Sequence, residues 1–347
     1  CFDKLDHFDR YNCSALIHRA CELFDLHKKD RDELTKLLIY TVVVISQGFD
    51  DTDATFGDKL KMATSLSMTI RGLGHTGVAS VCPNIFNKLV KEFQECIVGQ
   101  RFYNEPSWIA SLSNSLFGIS QAKKLGVEID SVPVFDLALD ICVDTGFVGW
   151  QPHDVTAVLC SLSKHNHLRD DFINHVIEII YCQSDIDMSQ WTGRHVATLC
   201  LTFVITSHHN NSAVESRQRN CPVQRHFHAV QPMVKDFIVW VIQKFKPDHS
   251  QDVLQEFHAV DAAKMIVCLG TAGIRHQNFL SSCCHTIATN IFEIGDSDLA
   301  SIFFHISKLR FFHTELFKAF LNLSAKRIKN FSDESLLYVM LGLCESG

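Results

Sequence analysis

The 347-residue sequence reads as an all-α protein, an α-solenoid of about seven to eight helical hairpins with a period near 37 residues. Three observations carry this reading. Ala262, Met265, Ile266 and Leu269 form an apolar signature that recurs 37 residues on as Leu299, Ile302, Phe303 and Ile306, and 37 further as Leu336, Val339, Met340 and Leu343. A second apolar block opens 17 residues into the unit, at Phe279 and Leu316, again 37 apart. Long alternating Val/Ile/Thr segments, the period-2 pattern of a half-buried strand, are missing.

Upstream, the signature is followed in chain order. It begins as Ile17, Ala20, Cys21 and Phe24, with Leu34 at the second-helix position. A polar stretch, Gly48–Asp58 with Asp50, Asp51 and Asp53, separates this unit from Leu66, Thr69, Ile70 and Leu73. The glycines Gly72, Gly74 and Gly77 are expected to end that helix, as Gly270 and Gly273 end a later one. Ile109, Leu112 and Leu116 follow, with Ser113 as the polar member. Val155, Val158, Leu159 and Leu162 match fully, with Phe172 opening the second helix. Val196, Leu199, Cys200 and Phe203 match too, but they stand 66 residues before Ala262, so an insertion of 29 interrupts the unit. The insertion is placed at Ser207–Gln231, polar and rich in histidine, asparagine and arginine, and is expected to be a surface loop. The chain therefore divides into degenerate repeats over 1–131 and regular repeats over 132–347, with the insertion at about 207–231.

Each unit reads as first helix, turn, second helix, turn. First helices follow an acidic or hydroxyl residue, as at Asp154, Asp296–Asp298 and Ser332–Glu334, groups that satisfy free N–H donors and the positive helix end. Second helices such as Phe172–Ile180 or Leu316–Leu323 are apolar on more than one side, so neighbouring hairpins must cover them. Pro106, Pro133, Pro152, Pro232 and Pro247 fall at helix starts or turns, where the missing N–H costs nothing. Twenty-six phenylalanines against five tyrosines suit a core that needs volume without a polar tip. The fourteen cysteines follow helical faces rather than a spacing framework and read as reduced, buried small hydrophobes. The apolar runs Leu37–Ile45 and Val196–Ile205 are about half the length of a membrane span, and no leader peptide is recognised. The chain starts at Cys1 and stops at Gly347 within a unit, so further residues are expected at both ends.

Charge is segregated between the two kinds of turn. First-to-second turns are basic or histidine-bearing: His27–Arg31, Lys123-Lys124, Lys164–Arg169, Arg275-His276, and Lys308–Arg310 with His313. Second-to-first turns carry Asp50, Asp51, Asp144, Asp185, Asp187, Asp248, Asp252, Asp296, Asp298, Asp333 and Glu334. Two explanations stand side by side. Bases suit helix C-termini and acids suit N-termini, so plain end-capping produces the pattern. Alternatively, turns of one kind line one edge of a stacked array, and a chain of net charge −7 still offers phosphate a positive rim. The candidate RNA-contact residues on that rim are Lys28, Lys29, Lys164, Arg169, Arg275, Lys308 and Arg310. Cys221 with His226 and His228 falls short of the four ligands of a zinc site and reads as a solvated loop. No Walker loop, dinucleotide glycine motif, HExxH or GxSxG is present, so no catalytic activity, cofactor, metal or small-molecule substrate is expected.

The first-helix segments Gln151–Ser163, Asp296–Ile306 and Phe331–Leu337, together with the 37-residue spacing, resemble the heptatricopeptide repeats of organellar proteins. These are relatives of octotricopeptide repeats and of the arrays that precede RAP domains. No RAP domain is recognised within the 347 residues. The resemblance covers Val132 to Gly347. It implies a mitochondrial (alternatively plastid) RNA-associated protein, acting in RNA metabolism or within a mitochondrial ribosome, with RNA and ribonucleoprotein proteins as partners. One departure stands out. Positions two residues into each signature, where a ligand would be read, hold Ala157, Thr198, Lys264, Ser301 and Tyr338, and they spell no base code. That favours a structural role in a ribonucleoprotein; a protein–protein scaffold without RNA contact and a free RNA-processing factor are the alternatives.

Overall fold

Apolar residues spaced three and four apart leave this chain one economical way to hide them, and every regular element among the described residues is a helix. The computed structural model describes residues 14–17, 19–20, 35–39, 41, 56–98, 105–182, 190–216, 230–244 and 257–346. Two compact units are formed, Cys1–His167 and Leu168–Gly347. This partition by packing differs from the division at 131/132, which rested on the regularity of the repeat alone.

The first unit contains α1 (Phe56–Thr76), α2 (Val78–Val81), α3 (Pro83–Ile97), α4 (Pro106–Lys124), α5 (Val132–Thr145) and α6 (Pro152–Lys164). First helices lie against one another, α1 on α4 and α4 on α6, while α3 backs α1 and α5 touches α4 and α6. Pro106 and Pro152 are the first residues of their helices and Pro133 the second of α5, where a missing N–H leaves no bond unmade. The core holds Phe86, Phe93, Trp108 and Phe135, with Phe93 and Trp108 stacked at 6.2 Å.

The second unit contains α7 (Asp170–Cys182), α8 (Gly193–Ser216), α9 (Pro232–Lys244), α10 (Ala259–Ala272), α11 (Gln277–Thr289), α12 (Asp296–Lys308), α13 (Thr314–Arg327) and α14 (Asp333–Ser346), with 3₁₀ turns at Ile291–Glu293 and Ile328–Asn330. First helices again succeed one another, α8 on α10, α10 on α12, α12 on α14; second helices pair as α7 with α9 and α11 with α13. The apolar signatures of α6, α8, α10 and α12 are all buried. Phe303 of α12 stacks flat on Phe320 of α13, centroids 4.5 Å apart and planes within 6°. In α14 the signature is only partly covered: Leu336 and Val339 are half-buried, while Met340 is 63% and Leu343 57% exposed.

Three expectations are corrected. The stretch read as a surface loop from Ser207 is helical as far as Ser216, because α8 simply continues. Ser207 is buried, its hydroxyl accepting from the Gln231 N–H at 2.9 Å; residues 217–229 lie outside the described set.

Gly72 and Gly74 do not end their helix, which runs on to Thr76 before Gly77 turns at φ 78°. Gly74 instead lies against the backbone of Gly118 on α4, where a Cβ on either residue would collide with the other helix. Gly270 likewise faces the His305 ring from inside α10, and only Gly273, at φ 69°, is a helix cap.

Asp154 does not precede its helix. It is the third residue of α6 and is 4% exposed, and Asp261 holds the same place in α10. Asp261 accepts from Lys264 Nζ at 3.0 Å, which also donates to Thr198 Oγ1 at 3.2 Å. Burial raises the Asp154 carboxyl above its ordinary value, while His153, the Ser113 hydroxyl and Arg71 pull the other way.

Of the positions two residues into each signature, Thr198, Lys264 and Tyr338 make contacts from one first helix to the next. Lys264 reaches Thr198, and Tyr338 lies 5.4 Å from Phe304, whereas Ser301 touches His305 within α12. Among the described residues no helix is long and apolar enough to cross a membrane.

Candidate nucleic-acid interface

The first-to-second turns share one construction. The N–H of Val127 returns to the Ala122 carbonyl (3.1 Å), that of His167 to Leu162 (2.9 Å), that of Ile274 to Leu269 (2.9 Å) and that of Phe311 to Ile306 (3.1 Å). Each bond spans a left-handed residue: Gly126 at φ 83°, Asn166 at 59°, Gly273 at 69° and Arg310 at 51°. This is the Schellman end, which satisfies the last carbonyls of a helix and tucks the following side chain under it. Asn166 and Arg310 adopt the conformation without being glycine, at roughly 1 kcal/mol.

The candidate cations take three distinct places in this frame. Lys164 and Lys308 are the last residues of α6 and α12, two before the left-handed residue; Lys164 is exposed and Lys308 half-buried. Lys124 has the same place on α4 and is exposed, a member of the set that sequence reading left off the list. At a helix C-terminus a lysine is accounted for by the macrodipole alone. Arg310 occupies the left-handed position itself and is exposed. Arg169 and Arg275 lie at the opposite kind of end. Arg169 immediately precedes α7, its carbonyl accepting from Ile173 N–H, and Arg275 stands just before His276, the cap of α11; both are exposed. The positive end of a helix disfavours a cation, so capping does not account for these two. Lys28 and Lys29 lie outside the described residues.

The histidines of these turns have structural roles. His276 Nδ1 accepts from the Phe279 N–H at 3.3 Å, and His313 Nδ1 accepts from the Leu316 N–H at 3.4 Å. Each is the N-cap of a second helix, which an imidazole performs only with that nitrogen unprotonated. In the first unit, Phe135 is faced by His165 at 4.8 Å and by His167 at 4.9 Å, the latter nearly parallel. His165 Nε2 lies 3.0 Å from Ser120 Oγ, and His167 Nδ1 lies 3.6 Å from the Asp136 carboxylate. Burial, with Lys123, His167 and Lys164 nearby, holds His165 down at about 4. His167 is also lowered by burial, against the pull of Asp136. Both are therefore neutral at neutral pH and add no charge to the edge. Lys123 turns inward, donating to Ser131 Oγ at 2.8 Å and lying 5.8 Å from the Phe135 centroid.

Among the described residues no group of three or more His, Cys, Asp or Glu is placed to hold a metal, and Cys221–His228 falls outside that set. No protein-family model matches the chain, and no curated protein matches it.

Proposed function

We propose that the chain is an α-solenoid with a period near 37 residues whose first-to-second edge holds the phosphate backbone of RNA, acting as a non-catalytic structural component of an organellar ribonucleoprotein. The observation that carries the RNA reading is the position of Arg169 and Arg275. Both precede the positive ends of helices, where a cation is disfavoured, so neither is explained by stabilising its own helix; Arg310, just past the negative end of α12, is compatible with either role. The solenoid reading draws on equivalent devices 37 residues apart: the Schellman bonds at Leu269 and Ile306, and the histidine caps His276 and His313. The resemblance to heptatricopeptide arrays favours a mitochondrion, and a mitochondrial ribosome in particular.

Contacts of this type position RNA without reading its sequence and weaken steeply with salt. Replacing Lys164, Arg169, Lys308 and Arg310 with glutamate is expected to abolish RNA or ribonucleoprotein association with helicity retained. Normal assembly of that variant would return the edge to simple capping and leave a protein–protein scaffold as the better reading. The period is tested separately. Removing one 37-residue unit between equivalent turn positions should leave a cooperative, shorter array, while removing about 30 should not, because neighbouring faces then fall out of register.

A further inference from the structure

Charge in the first unit is divided between its helix layers. The first helices α1, α4 and α6 carry six Lys/Arg (Lys59, Lys61, Arg71, Lys123, Lys124, Lys164) against Asp58 and the buried Asp154. Helices α3 and α5 carry two lysines against five acids, Glu92, Glu95, Asp136, Asp140 and Asp144. A chain of net charge −7 thus has one cationic helix layer. Near its centre the contact of Gly74 with Gly118 brings α1 against α4. Arg71, exposed and mid-helix, donates Nη1 to Asn114 Oδ1 at 2.6 Å, and its guanidinium carbon lies 5.6 Å from the Phe117 centroid. The His75 ring lies 6.2 Å from the same phenyl ring. Lys124, exposed, stands seven residues beyond Phe117 on the same face of α4.

We propose that Arg71, Phe117, Asn114 and His75 form a stacking site for a base of single-stranded RNA, with Lys124 taking a neighbouring phosphate. This rests on the RNA reading above but concerns a different surface from the edge arginines. A guanidinium held by an amide oxygen and a phenyl ring has its plane set in advance, which is what stacking against a flat base requires. A simple phosphate contact needs no such plane, and a mid-helix arginine is not called for by the helix dipole. An acidic peptide would satisfy Lys124 and leave the aromatic group unused. Duplex RNA conceals its base faces.

The test is fluorescence anisotropy of the full 347-residue chain with a labelled oligouridine of about 16 nucleotides and with a blunt RNA duplex of the same length. Arg71→Ala and Phe117→Leu are each expected to weaken single-strand binding about tenfold. Arg71→Lys, which keeps the charge and loses the plane, should be as weak as Arg71→Ala, and duplex binding should not respond to Phe117→Leu. Circular dichroism checks that each variant is folded; Arg71→Lys keeps the positive charge near the buried Asp154 and stays decisive even if Arg71→Ala or Phe117→Leu unfolds. Wild-type affinity in Arg71→Lys, or an equal loss on duplex, reduces the site to a phosphate contact and overturns the proposal. A wild-type chain that binds neither RNA overturns the RNA reading itself, and this site with it. Single-strand binding that is sensitive to the edge charge reversal and indifferent to Arg71 overturns this site alone.

Discussion

Gly74 on α1 and Gly118 on α4 meet backbone to backbone, and a Cβ built on Gly118 would strike the Ile70 carbonyl just as one on Gly74 would strike Gly118. Backbone cannot rotate aside as a side-chain tip can, so the helices must separate to admit even a methyl group. Gly74→Ala and Gly118→Ala are therefore expected to destabilise by roughly 1–3 kcal/mol, despite the better helix propensity of alanine. Chemical denaturation measures this. An unchanged or raised midpoint would mean the two helices do not touch there.

His305 supplies a pH dependence with a definite sign. Its Nδ1–H donates to the Ser301 carbonyl at 2.7 Å, which leaves Nε2 to accept from the Thr271 hydroxyl at 3.1 Å. Burial holds the ring at about 4, against an ordinary 6.5. The unfolded chain therefore takes up a proton at a higher pH than the folded one. Stability contributed by the neutral ring is present above about 6.5 and is lost as pH falls toward 4. From pH 7 to pH 5 the loss should be about 2 kcal/mol, and His305→Gln should remove that share of the slope. Urea titrations at the two pH values check it; identical slopes in both proteins would rule the assignment out.

Arg310 sits at φ 51°, a conformation glycine adopts freely. Arg310→Gly is expected to stabilise the fold by roughly 0.5–1 kcal/mol, since the relief of the left-handed strain outweighs the extra chain entropy. Under the proposed function the same substitution weakens RNA association. A melting temperature that rises while binding falls is the expected pair of results. If both fall, the arginine side chain has a packing role.

The thiols should separate cleanly by reactivity. Burial pushes Cys200 and Cys284 up to about 12, and raises Cys142, Cys268 and Cys283 as well, whereas Cys344 is exposed. A thiolate is the reactive species, so a maleimide or disulfide reagent should label Cys344 in the folded protein and these five only after denaturant is added. Rapid labelling of Cys200 or Cys268 would contradict the packing of α8 on α10.

Helicity and the buried faces of α6, α8, α10 and α12 were legible in the sequence because both follow from local spacing: residues three and four apart share a face whatever lies beyond it. The basic and histidine-bearing turns were legible as composition, and their chemistry was not. His165, His167, His276 and His313 read as part of a cationic edge, yet the first two are held neutral by burial against Phe135 and the last two cap helices. Charge state depends on desolvation, which a neighbouring helix imposes. The glycines divide in the same way. Gly273 ends a helix as its surroundings in sequence suggest, while Gly74 and Gly270 allow a second helix to approach, and only the position of Gly118 and His305 makes that visible. Asp154, read as preceding its helix, is buried inside α6 with Arg71 nearby, and Asp261 holds the same place in α10 beside Lys264. The sequence by itself determined that the described elements are helical and which face of α6, α8, α10 and α12 is buried, since those properties are set by neighbours along the chain; in α14 the same pattern left Met340 and Leu343 exposed. Tertiary structure decided which cations remain unpaired with a helix end, which imidazoles are neutral, and where Arg71 meets Phe117, since each depends on the distance between groups that the chain brings together only by packing.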